Sequence, residues 1–345
     1  MNFFGLFFYR KKERRIFLNR NEISKSQLWY KGLTEKPTCL YNQEQLDLYK
    51  DYVNNKIGNF EFVYHELYSP DIHLDILVIP PTEEDNYYKL VTKGMGAYKM
   101  NVPDVIKNYE LDRAELVMYL PPDWDLDFSK KENGWVIKQL KIIARTAIIE
   151  NGWVGFGHSF ASDEKALEKV APNTQLAGSV LLMALDKDFK YFDLELPDIG
   201  KINFYQVFPL YKEELEYKNQ FGTKKLMERF NIEDVFPIVN INRRNYCEGI
   251  DLEKEVEKAE KKAIYELVNN FCESCTDKEW DDLTNDYCIS NNENYMGEVR
   301  EKLETAIYEN FKSSTEEEKE KIINKLSKYI IKEKDELEKE DDFEK

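Results

Sequence analysis

Asp71, His73 and Asp75 alternate in the stretch DIHLD, and in an extended strand that spacing sends all three side chains to one face. One imidazole and two carboxylates on one face could hold a hard or borderline metal ion, although no fourth ligand is visible nearby. The simpler reading is a hydrogen-bonded cap at a strand start. Cys272 and Cys275 form a C-x2-C pair with Cys288 further on, which is half of a structural zinc pattern without its second pair. Small buried thiols on a helix fit that spacing better. His65 ends an alternating strand and fits an inter-strand hydrogen bond. His158 lies in GWVGFGHSF among glycines, with no nucleophile or acid partner identifiable in the sequence. The GMG of residues 94–96 follows a strand and invites a phosphate-loop reading. Lys99 stands where a third glycine is required, and no GKS or GKT is present, so a tight turn is the expectation. There is no G-x-S-x-G and no HExxH. No cofactor is expected from these residues.

The elements that would position these groups are mixed. The stretch 43–57 puts Leu46, Tyr49, Val53 and Ile57 on one helical stripe, with Gly58 as a stop. Strands are expected at 60–67, 73–80, 87–94, 114–121, 179–186 and 201–211, and a helix at 134–148. Two helices are expected to follow 211, separated at Gly222. Short strands joined by turns with few helices between them favour an α+β domain with a mixed, largely antiparallel sheet.

The 345 residues carry 49 Lys+Arg against 66 Asp+Glu, a net charge of −17. A phosphate-backbone ligand is disfavoured by that balance, so nucleic acid is not an expected partner. The acidity concentrates at one end: residues 251–345 hold 16 Lys+Arg and 29 Asp+Glu. That end contains no proline, and its apolar residues recur at helical spacing, as in Ala263, Leu267, Val268 and Phe271, and in Val299, Leu303, Ile307 and Phe311. Three or four helices are expected there, with the final dozen residues frayed. The expected organisation is therefore an aromatic and basic extension over 1–40, an α+β domain over 41–245, and an acidic helical extension over 246–345. The opening MNFFGLFF followed by RKKERR has the reverse order of a secretory signal and is too short to span a bilayer. Five scattered cysteines fit a reducing compartment. A cytoplasmic protein without stable membrane insertion is the expectation.

Six short motifs in order carry a further reading: ELYSPDIHLDILVIPPT, LVTKGMGAYKM, AELVMYLPPDW, GWVIKQLKIIAR, NGWVGFGHSF and FPLYKEELEYKNQFGTKKLMERF. From about Leu40 to Phe230 the chain resembles the bacterial branch of the Suppressor of fused (SUFU) domain family. The resemblance implies a non-enzymatic protein-binding module. Animal relatives sequester a transcription factor by gripping an extended peptide, and bacterial relatives are regarded as immunity proteins of polymorphic toxin systems. The implied partner is a cognate toxin, and the net negative charge favours a basic one. A binding groove needs aromatic anchors; Tyr87, Tyr88, Tyr98 and Trp124 lie nearest the expected loops, with Trp124 equally readable as a core residue. The segment after about residue 245 has no counterpart in this pattern. Two alternatives stand beside this reading: a regulatory interaction protein unrelated to toxins, and a metal-dependent enzyme using the Asp71/His73/Asp75 face.

Overall fold

The structure is a computed structural model, and it describes residues 16–17, 39–67, 69, 71–163, 168–185, 190–231, 238–287, 289 and 296–327. The opening MNFFGLFF and RKKERR, Cys288 and the final dozen residues lie outside these. The chain separates into two compact units, divided between Gly249 and Ile250.

The larger unit opens with β1 (Ile16–Phe17) and then α1 (Gln43–Tyr52). Asn42 caps α1 through a reciprocal pair with Gln45: each side chain accepts from the other's backbone N–H at 2.9 Å. The helix continues through a π-turn over Val53–Ile57 and stops at Gly58, whose φ of 148° suits glycine. There follow β2 (Phe62–Tyr64), β3 (Asp75–Ile79), β4 (Tyr88–Lys93) and β5 (Ala114–Leu120), then α2 (Lys131–Ile149). The second half supplies β6 (Ser159–Ala161), β7 (Leu176–Met183), β8 (Asp193–Leu196), β9 (Gly200–Tyr211) and α3 (Lys212–Met227). Gly222 breaks α3 with φ 84° and ψ 163°, at the position where two helices were expected to part.

Among the described residues the strands form one mixed sheet in the order β1-β6-β7-β9-β5-β4-β3-β2, with β8 also pairing β9. Only β1–β6 and β5–β9 are parallel; every other pairing is antiparallel. The architecture is thus α+β with a largely antiparallel sheet. β9 meets β5 along one edge and β7 and then β8 along the other. β3, β5 and most of β7 and β9 are buried on both faces, which is why their sequences read as mainly apolar runs. One face packs under α2, with Trp135, Leu140 and Ile143 against Ile76, Leu116 and Val207. The opposite face packs under α1, with Tyr49, Val53 and Ile57 against Leu77, Val117 and Phe204.

The smaller unit contains α4 (Leu252–Ser274), α5 (Asp277–Asp286) and α6 (Met296–Ser313), and residues 316–327 are also helical. Ala263, Leu267, Val268 and Phe271 are buried, as are Val299, Leu303, Ile307 and Phe311. The helical periodicity therefore marks a packed face, with the acidic residues on its outside. No helix among the described residues is long and apolar enough to cross a membrane.

Candidate interaction site

The turn after β4 shows what its glycines are for. Gly94 has φ 118°, and a Cβ there would stand 2.0 Å from the His73 carbonyl oxygen, so only glycine fits. The N–H groups of Gly94 and Gly96 donate to Glu115 Oε1 at 2.8 and 3.1 Å. Tyr41 Oη donates to the same oxygen at 2.8 Å, and Thr92 Oγ1 donates to Oε2 at 2.6 Å. Arg113 Nη1 holds the Gly96 and Ala97 carbonyls, both at 2.8 Å. Glu115 is 0% exposed. Burial pushes its carboxyl above the usual range, and the four donors oppose that shift. A backbone cradle of the kind that holds phosphate is here filled by a carboxylate of the same chain.

The segment between β2 and β3 holds the histidine–carboxylate group. β3 begins only at Asp75, so Asp71, His73 and Asp75 do not alternate on one strand as the spacing suggests. Asp71 turns toward α2, accepting from Arg145 Nε at 3.0 Å. Glu66 accepts from Arg145 Nη2 at 2.7 Å and from the Leu74 N–H at 3.1 Å. Asp75, with its side chain 2% exposed, faces Lys93 Nζ at 2.9 Å, His73 Nε2 at 3.2 Å and His65 Nδ1 at 3.3 Å. It also accepts from the Glu66 N–H. Burial works to raise its carboxyl, but the Lys93 and Glu66 hydrogen bonds outweigh it and hold Asp75 below the usual range. Lys93 and Arg145 thus pair with the carboxylates of this segment. Among the described residues no group of three or more His, Cys, Asp and Glu is arranged to hold a metal ion. Cys272 and Cys275 close α4, and burial pushes the Cys272 thiol up to about 11.

The four aromatic candidates do not form one patch. Tyr87 packs on the α1 side, edge-on to Tyr119 at 5.5 Å between centroids, and burial pushes its hydroxyl up to about 12. Tyr88, Tyr98 and Trp124 are half-buried on the α2 side, with Trp124 edge-on to Trp135 at 6.1 Å. Phe62 and Tyr64 on β2 are exposed, at 41% and 39%, as are Tyr109, Phe156 and Tyr191 elsewhere. Tyr64 meets Phe128 edge-on at 5.9 Å, and Lys141 Nζ lies 5.0 Å from its ring centre. Among the described residues β2 ends the sheet, so one of its backbone edges has no strand beside it. The alternation in FEFVY carried this signal, and reading the segment only as one strand among several missed it.

His158 stacks edge-on with Trp153 at 4.4 Å, and no partner is found for its Nδ1. Burial, with Lys218 adding to it, pushes its imidazole down to about 4. The folded state therefore refuses a proton that the unfolded chain accepts below pH ~6.5. Stability falls as the pH drops from ~6.5 toward 4, by roughly 3 kcal/mol at the lower limit. Urea unfolding of wild type and His158→Gln at pH 7 and pH 4.5 checks this: the variant loses less stability on acidification.

Residues 70–244 match the family model of Suppressor of fused protein (SUFU). The chain belongs to the SUFU family. No curated protein matches it significantly. Among solved structures it is similar to a SUFU homologue from Neisseria gonorrhoeae FA 1090, at 15% identity and a TM-score of 0.40, covering 60% of this chain and 96% of that one. It is also similar to a chain of a Sufu–Fu complex, at 14% identity and TM-score 0.43, covering 64% and 96%. Drosophila Suppressor of Fused matches at 12% identity and TM-score 0.42, covering 66% of this chain and 58% of that one. The SUFU match spans the β3-to-α3 sheet and excludes the helical unit.

Proposed function

We propose that the protein is a non-enzymatic, cytoplasmic immunity protein that neutralises a toxin by direct binding. Membership of the SUFU family carries this reading, because it makes the chain a protein-interaction module. Two features support it. The β2 edge with Phe62 and Tyr64 offers main-chain hydrogen bonds beside aromatic anchors. The net charge of −17 steers a basic partner, such as a nuclease toxin. The decisive experiment co-expresses the chain with a toxin encoded by a neighbouring gene. Restored growth together with a stoichiometric complex supports the proposal, and continued killing overturns it. Stopped-flow association with that toxin is expected to slow about tenfold between low and high salt, with dissociation changing little. A salt-independent association rate would remove the electrostatic part of the argument.

A further inference from the structure

The helical unit is acidic overall, with 16 Lys+Arg against 29 Asp+Glu over residues 251–345. It nevertheless has a groove of about 500 Å³ between α4 and α6 whose lining is basic: Lys258, Lys261, Lys262 and Arg300 stand there with two carboxylates, Glu266 and Glu304. The three lysines lie three and four positions apart, so one face of α4 presents them together. α6 runs antiparallel beside that face. Tyr308 Oη donates to the Glu257 carbonyl at 3.4 Å, and at the other end Arg300 Nη2 donates to Asn269 Oδ1.

Two of the four cations are held from behind. Arg300 Nε donates to Glu304 Oε1 at 3.1 Å while Nη2 is held by Asn269, which fixes the plane of the guanidinium. Lys261 Nζ lies 5.5 Å from the Tyr265 ring centre and 5.8 Å from that of Tyr308. The carboxylates nearby are engaged: Glu304 by Arg300, Glu266 by Lys262 at 3.7 Å, and Glu257 by Lys312 at 2.6 Å. Among the described residues neither Lys258 nor Lys261 has a carboxylate at ion-pair distance. The lining thus keeps a net charge of +2, four cations against two carboxylates. We infer that this groove binds a compact dianion, the phosphate of a phosphomonoester. Such a group carries a charge of roughly −1.5 to −2 at neutral pH. The Arg300 fork suits phosphate oxygens, and the lysines add point charges. The volume falls in the range of small-ligand sites, roughly 300–1,000 Å³, and leaves room for an organic part beside Tyr265. An extended polyanion does not fit, because its further phosphates would lie over an acidic surface. The phosphate can be carried by a free small molecule or by a phosphorylated serine of another protein. The groove lies outside residues 70–244, so this inference does not rest on the toxin reading.

Amide proton–nitrogen spectra of the full chain, titrated at neutral pH with AMP and separately with a short phosphoserine peptide, read the site directly. Adenosine and the unphosphorylated peptide are the controls. Saturable shifts of the α4 amides near Lys258 and Lys261 and of the α6 amides near Arg300 are expected with at least one phosphorylated probe and with neither control. AMP acting alone or together with the peptide points to a free small molecule, and the peptide acting alone to a modified protein; each supports the inference. No saturable shift with either probe, or equal shifts with the controls, overturns it. The double variant Lys258→Gln with Lys261→Gln leaves every carboxylate of the groove with its cation and is expected to weaken the interaction about tenfold or more. Unchanged affinity in that variant also overturns the inference.

Discussion

Arg243→Met lowers the unfolding free energy of the larger unit by about 3–5 kcal/mol. Arg243 pairs in bidentate fashion with Glu214, Nη1 at 2.6 Å from Oε1 and Nη2 at 2.5 Å from Oε2. Its remaining donors reach the Pro209 carbonyl at 2.9 Å and the Arg244 carbonyl at 3.0 Å. The guanidinium also lies 4.9 Å from the Tyr211 ring centre and 5.4 Å from both Phe208 and Phe230. Glu214 is 0% exposed. Removing the cation leaves that carboxylate buried with only backbone donors, Tyr211 N–H and Tyr246 N–H, to meet it. Desolvation of an uncompensated charge dominates the loss, and the lost stacking adds to it. Arg243→Lys keeps the charge but not the fork, so it recovers only part of the stability. The double variant Arg243→Met with Glu214→Leu is less destabilised than Arg243→Met alone, because no buried charge remains. Denaturant unfolding monitored on all three variants checks the order, and equal losses for the single and double variants would refute the argument.

Glu115→Gln costs about 1–3 kcal/mol although it changes a single atom. The carboxylate sits among four donors and no acceptors. With its oxygen on the Gly94 and Gly96 N–H groups, a carboxamide turns its NH2 toward Thr92 Oγ1, which then gives up its 2.6 Å bond and can donate only to the Leu116 carbonyl at 3.5 Å, in a dry site. Tyr41→Phe removes one donor and leaves the carboxylate with three, so it costs about 1 kcal/mol. A Glu115→Gln variant as stable as wild type in urea would mean that the residue is protonated in the native state and that the turn is held by other contacts.

The sequence made the layers of this fold readable and left its joints hidden, for physical reasons. Long buried strands such as β5 and β9 announce themselves by predominantly apolar runs, and α2 by its 3.6-residue stripe. β6 and β8 are three and four residues long, too short for a period to register. DLELPDIG nevertheless holds its hairpin signal: Asp198 and Gly200 both take positive φ between β8 and β9. The polar pairs were invisible for another reason. Glu115 is one acid in AELVMYL, and nothing local says that it will meet Tyr41, 74 residues away. Glu214 looks like a helix-start acid in KEEL, and its partner Arg243 comes 29 residues later. The DIHLD spacing misleads because the one-face argument needs extended backbone from residue 71, ahead of the strand expected at 73–80, whereas β3 begins at Asp75 and Asp71 pairs with Arg145 on α2. The aromatic anchors were sought around the turns, but the sheet divides Tyr87 from the other three and leaves Phe62 and Tyr64 outside.

The parallel pairing of β5 with β9 also sets an order of events during synthesis. β2 to β5 form an antiparallel meander whose contacts are local, and that meander can assemble as soon as residue 120 is free. Its last strand is wholly buried in the finished fold, and its partner is not complete until residue 211. At the usual pace of translation, β5 waits on the order of 5–15 seconds with an unpaired hydrophobic edge. High contact order at that one seam makes closure of the sheet slow, and during the wait the nascent chain is a substrate for chaperones and for edge-to-edge association.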